Sequence, residues 1–174
     1  MLSFHPFSFT LSLLCSFVTS SLAANHQIVV GGTGLVFTPE ETTAAVGDTV
    51  EFIFQPPQHT VTQSSFADPC TLLKNATTGA EGFNSGPVPV QAGAATAPAW
   101  TLEITESTPI WFFCATPTHC QSGMVGSINA AKTGNKTFAA FKSLAMGTTS
   151  SNGSPSVVSS DRSRSYGSHL ERLC

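Results

Sequence analysis

From Gln27 to about Ile128 the chain is written in short segments of β-branched and aromatic residues, each closed off by Gly, Pro or Thr. Segments of this kind suit strands, whose alternate side chains cover one face of a sheet. Val50-Glu-Phe-Ile-Phe-Gln shows the pattern, with Val50, Phe52 and Phe54 on one face and Gly47-Asp48 as the turn before it. Further strands are predicted over 27–30, 35–38, 42–46, 60–63, 88–91, 99–104, 110–114 and 124–129. Eight or so strands of this length close an all-β sandwich with a Greek-key crossing.

The period changes at residues 135–146. Phe138, Phe141 and Ala145 recur at helical spacing, Asn135 or Thr137 can cap the start, and Gly147 follows the end. One short C-terminal helix is therefore predicted to dock on the sandwich. Beyond Gly147, nine serines precede His169. That stretch offers too little apolar area to offset the entropy of ordering, and a disordered Ser-rich tail open to O-glycosylation is expected.

The N-terminus carries an apolar run around Leu11 to Val18 followed by small residues, as a secretory signal does, although no Lys or Arg precedes the run. Cleavage after Ala23 leaves Ser21 and Ala23 at the small-residue positions. The run is too short to cross a bilayer, and no other stretch approaches its length. The expected organisation is a signal peptide over 1–23, a folded domain over 24–146 and a tail over 147–174. A secreted product, extracellular or at the cell wall or surface, with no transmembrane segment in the mature chain, follows from that division. Cleavage removes Cys15 and leaves Cys70, Cys114, Cys120 and Cys174 in an oxidising compartment. Three glycosylation sequons, at Asn75, Asn135 and Asn152, fit the same compartment.

Charge narrows the partners. Seven Lys and Arg stand against ten Asp and Glu in 174 residues, so no basic field exists to hold nucleic acid or an anionic membrane. Glu40 with Glu41 and Glu103 with Glu106 read as solvated surface acids. No Ser-His-Asp order, phosphate loop or nucleotide fingerprint occurs, and an enzyme is not expected. His169 reads as a solvated tail side chain.

Chemistry concentrates in Trp111-Phe-Phe-Cys-Ala-Thr-Pro-Thr-His-Cys-Gln-Ser-Gly-Met124. A thiolate is a soft, strongly donating ligand, and one Cys with two His and a distant Met is the donor set of a copper electron-transfer site. Cys114 ends a predicted strand, His119 follows five positions on in a Pro-containing loop, and Met124 comes five further as the next strand begins. The second imidazole must come from another strand. His59, after Pro56-Pro57, is the candidate. Zinc is the next metal, but it rarely accepts a thioether. Cys120 cannot easily face the same ion as its neighbour His119. It is expected to bridge to Cys70, in preference to Cys174 in the tail, tying together the two loops that carry the ligands. A weaker pattern lies at Ala24-Asn25-His26, where a free amine, two amides and the His26 ring can chelate Cu(II), although a histidine on the first strand is the simpler reading.

His59, Cys114, His119 and Met124, with the pair Cys70 and Cys120, resemble the cupredoxin superfamily, with ligand spacing similar to plant phytocyanins. Gln58-His-Thr-Val-Thr-Gln-Ser-Ser-Phe-Ala-Asp-Pro-Cys, Gly82-Phe-Asn-Ser-Gly and Gly123-Met-Val-Gly-Ser-Ile-Asn resemble the fungal secreted, serine-rich cupredoxin-like proteins. The resemblance covers roughly residues 27–146. It implies a Greek-key β-sandwich holding one type 1 copper, with an electron-transfer role and a redox partner of unknown identity. A monomer is expected. Members of the fungal group often end in an anchor signal with an apolar tail, which Arg162-Ser-Arg-Ser-Tyr-Gly-Ser-His-Leu-Glu-Arg-Leu-Cys does not resemble. A cell-surface or wall-associated protein that uses the same fold without electron transfer is the alternative.

Overall fold

In the strand from Thr49 to Phe54, Val50, Phe52 and Phe54 are buried and the residues between them are partly exposed. That alternation belongs to a sheet with one face in a core. The computed structural model describes residues 22–147, so the expectations for most of the signal peptide, the Ser-rich tail, Asn152 and Cys174 lie outside the described residues. In chain order the elements are β1 (Asn25–Val30), β2 (Phe37–Thr38), β3 (Glu41–Thr42), β4 (Thr49–Phe54), β5 (Gln58–His59), β6 (Thr62–Ser64), β7 (Val88–Pro89), β8 (Ala99–Glu103), β9 (Ile110–Phe113), β10 (Val125–Ile128) and α1 (Phe138–Gly147).

Two four-stranded sheets form, ordered β2-β1-β4-β8 and β3-β10-β9-β6, with β5 and β7 as a separate pair. Strands β1 and β4 run parallel, as do β3 and β10, so the chain must cross between sheets rather than turn back on itself. The inner faces meet through aromatic rings. Phe112 of β9 packs edge-on against Phe52 of β4 at 5.3 Å and against Phe37 of β2 at 5.0 Å. Ile28, Val30, Ile110 and Ile128 complete this core, and Cys114 and Met124 sit within the same cluster.

Every residue of β9 and β10 is buried. The second sheet is covered on both sides: its outer face carries Trp111, Phe113 and Val125, which pack with Phe138, Phe141 and Ala145 of α1. Thr137 caps that helix, its hydroxyl accepting the Ala140 N–H at 3.3 Å. The helix thus presses on the strand that leads into Cys114.

Four of the predicted strands are markedly shorter or broken: the 88–91 segment pairs only over Val88–Pro89, and three others are cut for local reasons. Over 42–46 only Glu41 and Thr42 pair as strand. The next amides are taken by side chains instead, Ala44 N–H donating to Asn129 Oδ1 and Ala45 N–H to Asp48 Oδ2. Over 35–38 the ladder holds only Phe37 and Thr38, because Gly31 to Val36 forms a tight loop closed by Gly31 N–H on the Val36 carbonyl. The 60–63 strand is interrupted at Thr60 and Val61 between β5 and β6. There the Thr60 N–H donates to Cys114 Sγ and the Val61 N–H to Ser85 Oγ rather than to a neighbouring strand.

Candidate metal centre

Four chain segments converge at the end of the core where β9 stops. Cys114, directly after β9, is buried and is the free cysteine among the described residues. Its sulfur lies 3.8 Å from Nδ1 of His59, at the end of β5, and 3.4 Å from Nδ1 of His119 in the following loop. One donor atom from each of these residues falls within 4.8 Å of the others. The two imidazole rings stand 5.1 Å apart, centroid to centroid. Met124 is fully buried at the same end, its N–H bonded to the His119 carbonyl and its carbonyl accepting the Cys114 N–H. These two bonds fold residues 114–124 into a closed loop around the sulfur.

Neighbouring atoms fix each donor. The Thr60 N–H points at Cys114 Sγ at 3.3 Å, and the Thr60 hydroxyl accepts the Ala115 N–H at 2.7 Å, so one residue holds the sulfur and the backbone beside it. The thiolate is the form of cysteine that ligates a metal. Burial holds the His59 imidazole below the ordinary histidine range, reinforced by the nearby His119 and opposed by a hydrogen bond to the Pro56 carbonyl. Burial lowers His119 as well. Both rings therefore keep lone pairs available into mildly acidic solution.

Cys70 and Cys120 are joined by a disulfide that spans 50 residues of sequence, with Cα atoms 5.6 Å apart. It ties the loop after β6 to the loop carrying His119. Thr60 and the 82–86 loop received no role from sequence reasoning about the site. The loop works through Asn84, which accepts the Thr62 hydroxyl, and Ser85, which accepts the Val61 N–H. Adjacency to His59 was the only sequence signal for Thr60. Gly31 was missed too. A Cβ placed there would lie 2.4 Å from His59 Nε2.

The donor set passes a chemical test for copper. Two neutral imidazoles and one sulfur converge in a mostly buried pocket with a thioether residue at its edge, a combination that suits copper and is poor for the closed thiolate and imidazole sets of zinc. Asp and Glu, the donors that calcium and magnesium require, are absent from the cluster. His26 stands apart from this site. Its Nε2 lies 3.0 Å from Asp48 Oδ2, and Ala24 and Asn25 belong to the start of the first sheet, so chelation through this segment would have to break β1 from β4. Asn75 and Asn135 are exposed, Asn75 on the hairpin closed by Lys74 and Glu81. Among the described residues no helix is long and apolar enough to cross a membrane.

Residues 35–124 match the family described as plastocyanin-like domain. Over 140 residues the chain is 31% identical to the probable GPI-anchored cupredoxin-1 of Arthroderma benhamiae, covering 79% of this chain and 68% of that protein. It is 32% identical over 129 residues to the extracellular serine-rich protein of the same fungus, covering 72% of this chain and about half, 48%, of the relative. Among solved structures, reduced auracyanin from Roseiflexus castenholzii aligns with a TM-score of 0.43 at 17% identity, over 64% of this chain and 99% of that one. A purple cupredoxin from Nitrosopumilus maritimus aligns at 0.41 and 17%, over 59% and 96%.

Proposed function

The chain belongs to the cupredoxins, copper-binding proteins with a plastocyanin-like domain, and from that premise we propose that it is a secreted carrier of single electrons. The observation that carries this reading is the Cys114 sulfur, outside any disulfide although a disulfide lies in the adjoining loop, and within 3.4 and 3.8 Å of two imidazole nitrogens. In this reading His59, Cys114, His119 and Met124 would hold one type 1 copper. Bound copper supplies a centre that takes up and releases one electron.

The protein's own residues do the rest. His59 and Thr60 come from one side and the 114–124 loop from the other, so two separate segments, joined by hydrogen bonds from Thr60, fix the donor positions. Four protein donors leave no open coordination position, which favours a carrier over a catalyst. His119 is the partly exposed ligand, whereas His59, Cys114 and Met124 are buried, so its ring edge is the route by which an electron reaches a partner. Secretion rests on the apolar N-terminal run and on the names of the two fungal relatives, one GPI-anchored and one extracellular. The division into a signal over 1–23, a domain over 24–146 and a Ser-rich tail is part of the same reading.

Copper-loaded, oxidised protein should be intensely blue through charge transfer from Cys114. Cys114→Ser should abolish the colour while circular dichroism retains the β-sheet signature. A colourless protein that nonetheless holds one copper per chain would overturn the reading. A wall-associated role without electron transfer is favoured by the relatives' names and by the serine-rich C-terminal sequence. It predicts no reversible one-electron wave in voltammetry.

A further inference from the structure

Asp48 is a nearly buried carboxylate, and among the described residues no lysine pairs with it. It is 8% exposed and lies in the turn before β4. Oδ2 accepts the Ala45 N–H at 2.8 Å and faces His26 Nε2 at 3.0 Å. Oδ1 accepts the Ala24 N–H, also at 2.8 Å. Its ionic partner is the His26 imidazole, which is charged only when protonated, and the described lysines that form ion pairs do so elsewhere, with Glu81, Glu41 and Glu40. The hydrogen bonds to Asp48 already favour its charged form, and a full positive charge on one of the donors would strengthen the contact further.

The nitrogen that Oδ1 contacts is the one that signal cleavage after Ala23 would set free. We infer that Asp48 is the receptor for the α-ammonium of Ala24, so that removal of the signal peptide completes an ion pair at the base of the first sheet. The inference rests on the proposed cleavage site. Hydrolysis of the Ala23–Ala24 bond consumes one water, leaves a carboxylate on Ala23 and gives Ala24 an amine that takes up a proton. The N–H donor already present becomes a charged one, at the same atom and distance, and a charge-assisted bond replaces a neutral one. Sequence and structure reach Ala24 independently: small residues at Ser21 and Ala23 mark the bond, and Asp48 marks the nitrogen beyond it. The pair ties the start of β1 to the 44–48 turn, whose other bonds reach Asn129 and Ile104.

The test compares residues 24–174 released from a cleavable fusion, with Ala24 first, against a chain that retains Leu22 and Ala23. The Ala24 chain should melt higher by about 2–4 °C. Asp48→Asn, which keeps an acceptor oxygen but removes the charge, should erase the difference. Acetylating the Ala24 amine leaves Asp48 intact and should lower the midpoint to that of the extended chain. Equal melting of the two starts, no effect of acetylation, or a difference that persists in Asp48→Asn overturns the ion pair. N-terminal sequencing of protein secreted from a fungal host separately tests the cleavage. A start other than Ala24 overturns that reading and is distinguishable from failure of the ion pair, because the fusion-released chain tests the pair directly.

Discussion

Gly31 leaves no room for a side chain beside a proposed ligand. A Cβ added there would lie 2.4 Å from His59 Nε2 and 2.8 Å from Cδ2, and the residue has φ of +87°. Any side chain must push the imidazole aside. Gly32 provides a natural control: its φ is +89°, but a Cβ there would meet only flexible atoms, the nearest being Gln55 Cγ at 3.4 Å. Both Gly→Ala changes carry the backbone cost of a left-handed residue, roughly 1–2 kcal/mol. Only Gly31→Ala should also alter the visible band and weaken copper retention, whereas Gly32→Ala should lower the melting midpoint and keep the spectrum. Absorption spectra of the two copper-loaded variants, beside their melting curves, check this. Cys114, His119 and Met124 were legible because one short stretch holds them all, and His59 because a second imidazole had to come from another strand. Gly31 and Thr60 were not, since their roles depend on which distant segment the fold brings against them.

At the scale of elements, β9 serves two cores. Phe112 faces the sandwich interior and Trp111 and Phe113 face α1, where Phe141 packs on Trp111 at 4.8 Å. Cys114 and Met124 belong to the sandwich core rather than to the helix core, and His59 comes from β5. Phe141→Ala should therefore cost about 3–5 kcal/mol of stability through the cavity it leaves. The blue band of the folded protein should remain, a separation that chemical denaturation followed by absorbance and by tryptophan fluorescence can measure. A second element-scale effect comes from Asp48, which joins β1, the 44–48 turn and β4. Hydrogen bonds from the Ala24 amide, His26 and the Ala45 amide, in that order, hold its carboxyl down to about 2 from 3.8. A depressed carboxyl contributes stability in full above its unfolded value and loses it as pH falls through the folded one. The melting midpoint should thus drop between about pH 4 and pH 2, and Asp48→Asn should flatten that part of the profile. The strands were read from alternation with fair success in β1, β4, β8 and β9. The 42–46 and 60–63 segments misled because side-chain acceptors, Asn129, Asp48, Ser85 and Cys114, take amides that the pattern assigned to a ladder. Nothing in a local sequence window names those acceptors.

Charge is distributed unevenly over the whole molecule. The four segments that carry or border the donors, residues 31–36, 56–60, 84–91 and 115–123, contain no Asp, Glu, Lys or Arg. The charged side chains lie on other segments, several in pairs such as Lys132 with Glu41 and Lys142 with Glu40. These segments offer Gly, Pro, Ala, Thr and Gln around the partly exposed His119, and Lys142, which packs at Gly123, is paired with Glu40. Electrostatic steering raises association rates by 10- to 10³-fold in proteins that focus charge at their docking face, and it collapses as salt shortens the Debye length from about 30 Å at 0.01 M to about 10 Å at 0.1 M. Donor-bearing segments without charge give little such enhancement to lose, and the formal net charge of −3 is small for a chain of 174 residues. Electron self-exchange, measured by NMR line broadening on mixtures of oxidised and reduced protein, should change by less than about tenfold between low and high salt. Introducing one like charge at the rim, as in Thr116→Glu, should create a salt dependence in which exchange speeds up as ionic strength rises. A steep dependence in the unaltered protein would mean that copies meet through a charged face, and that the electron leaves by some route other than His119.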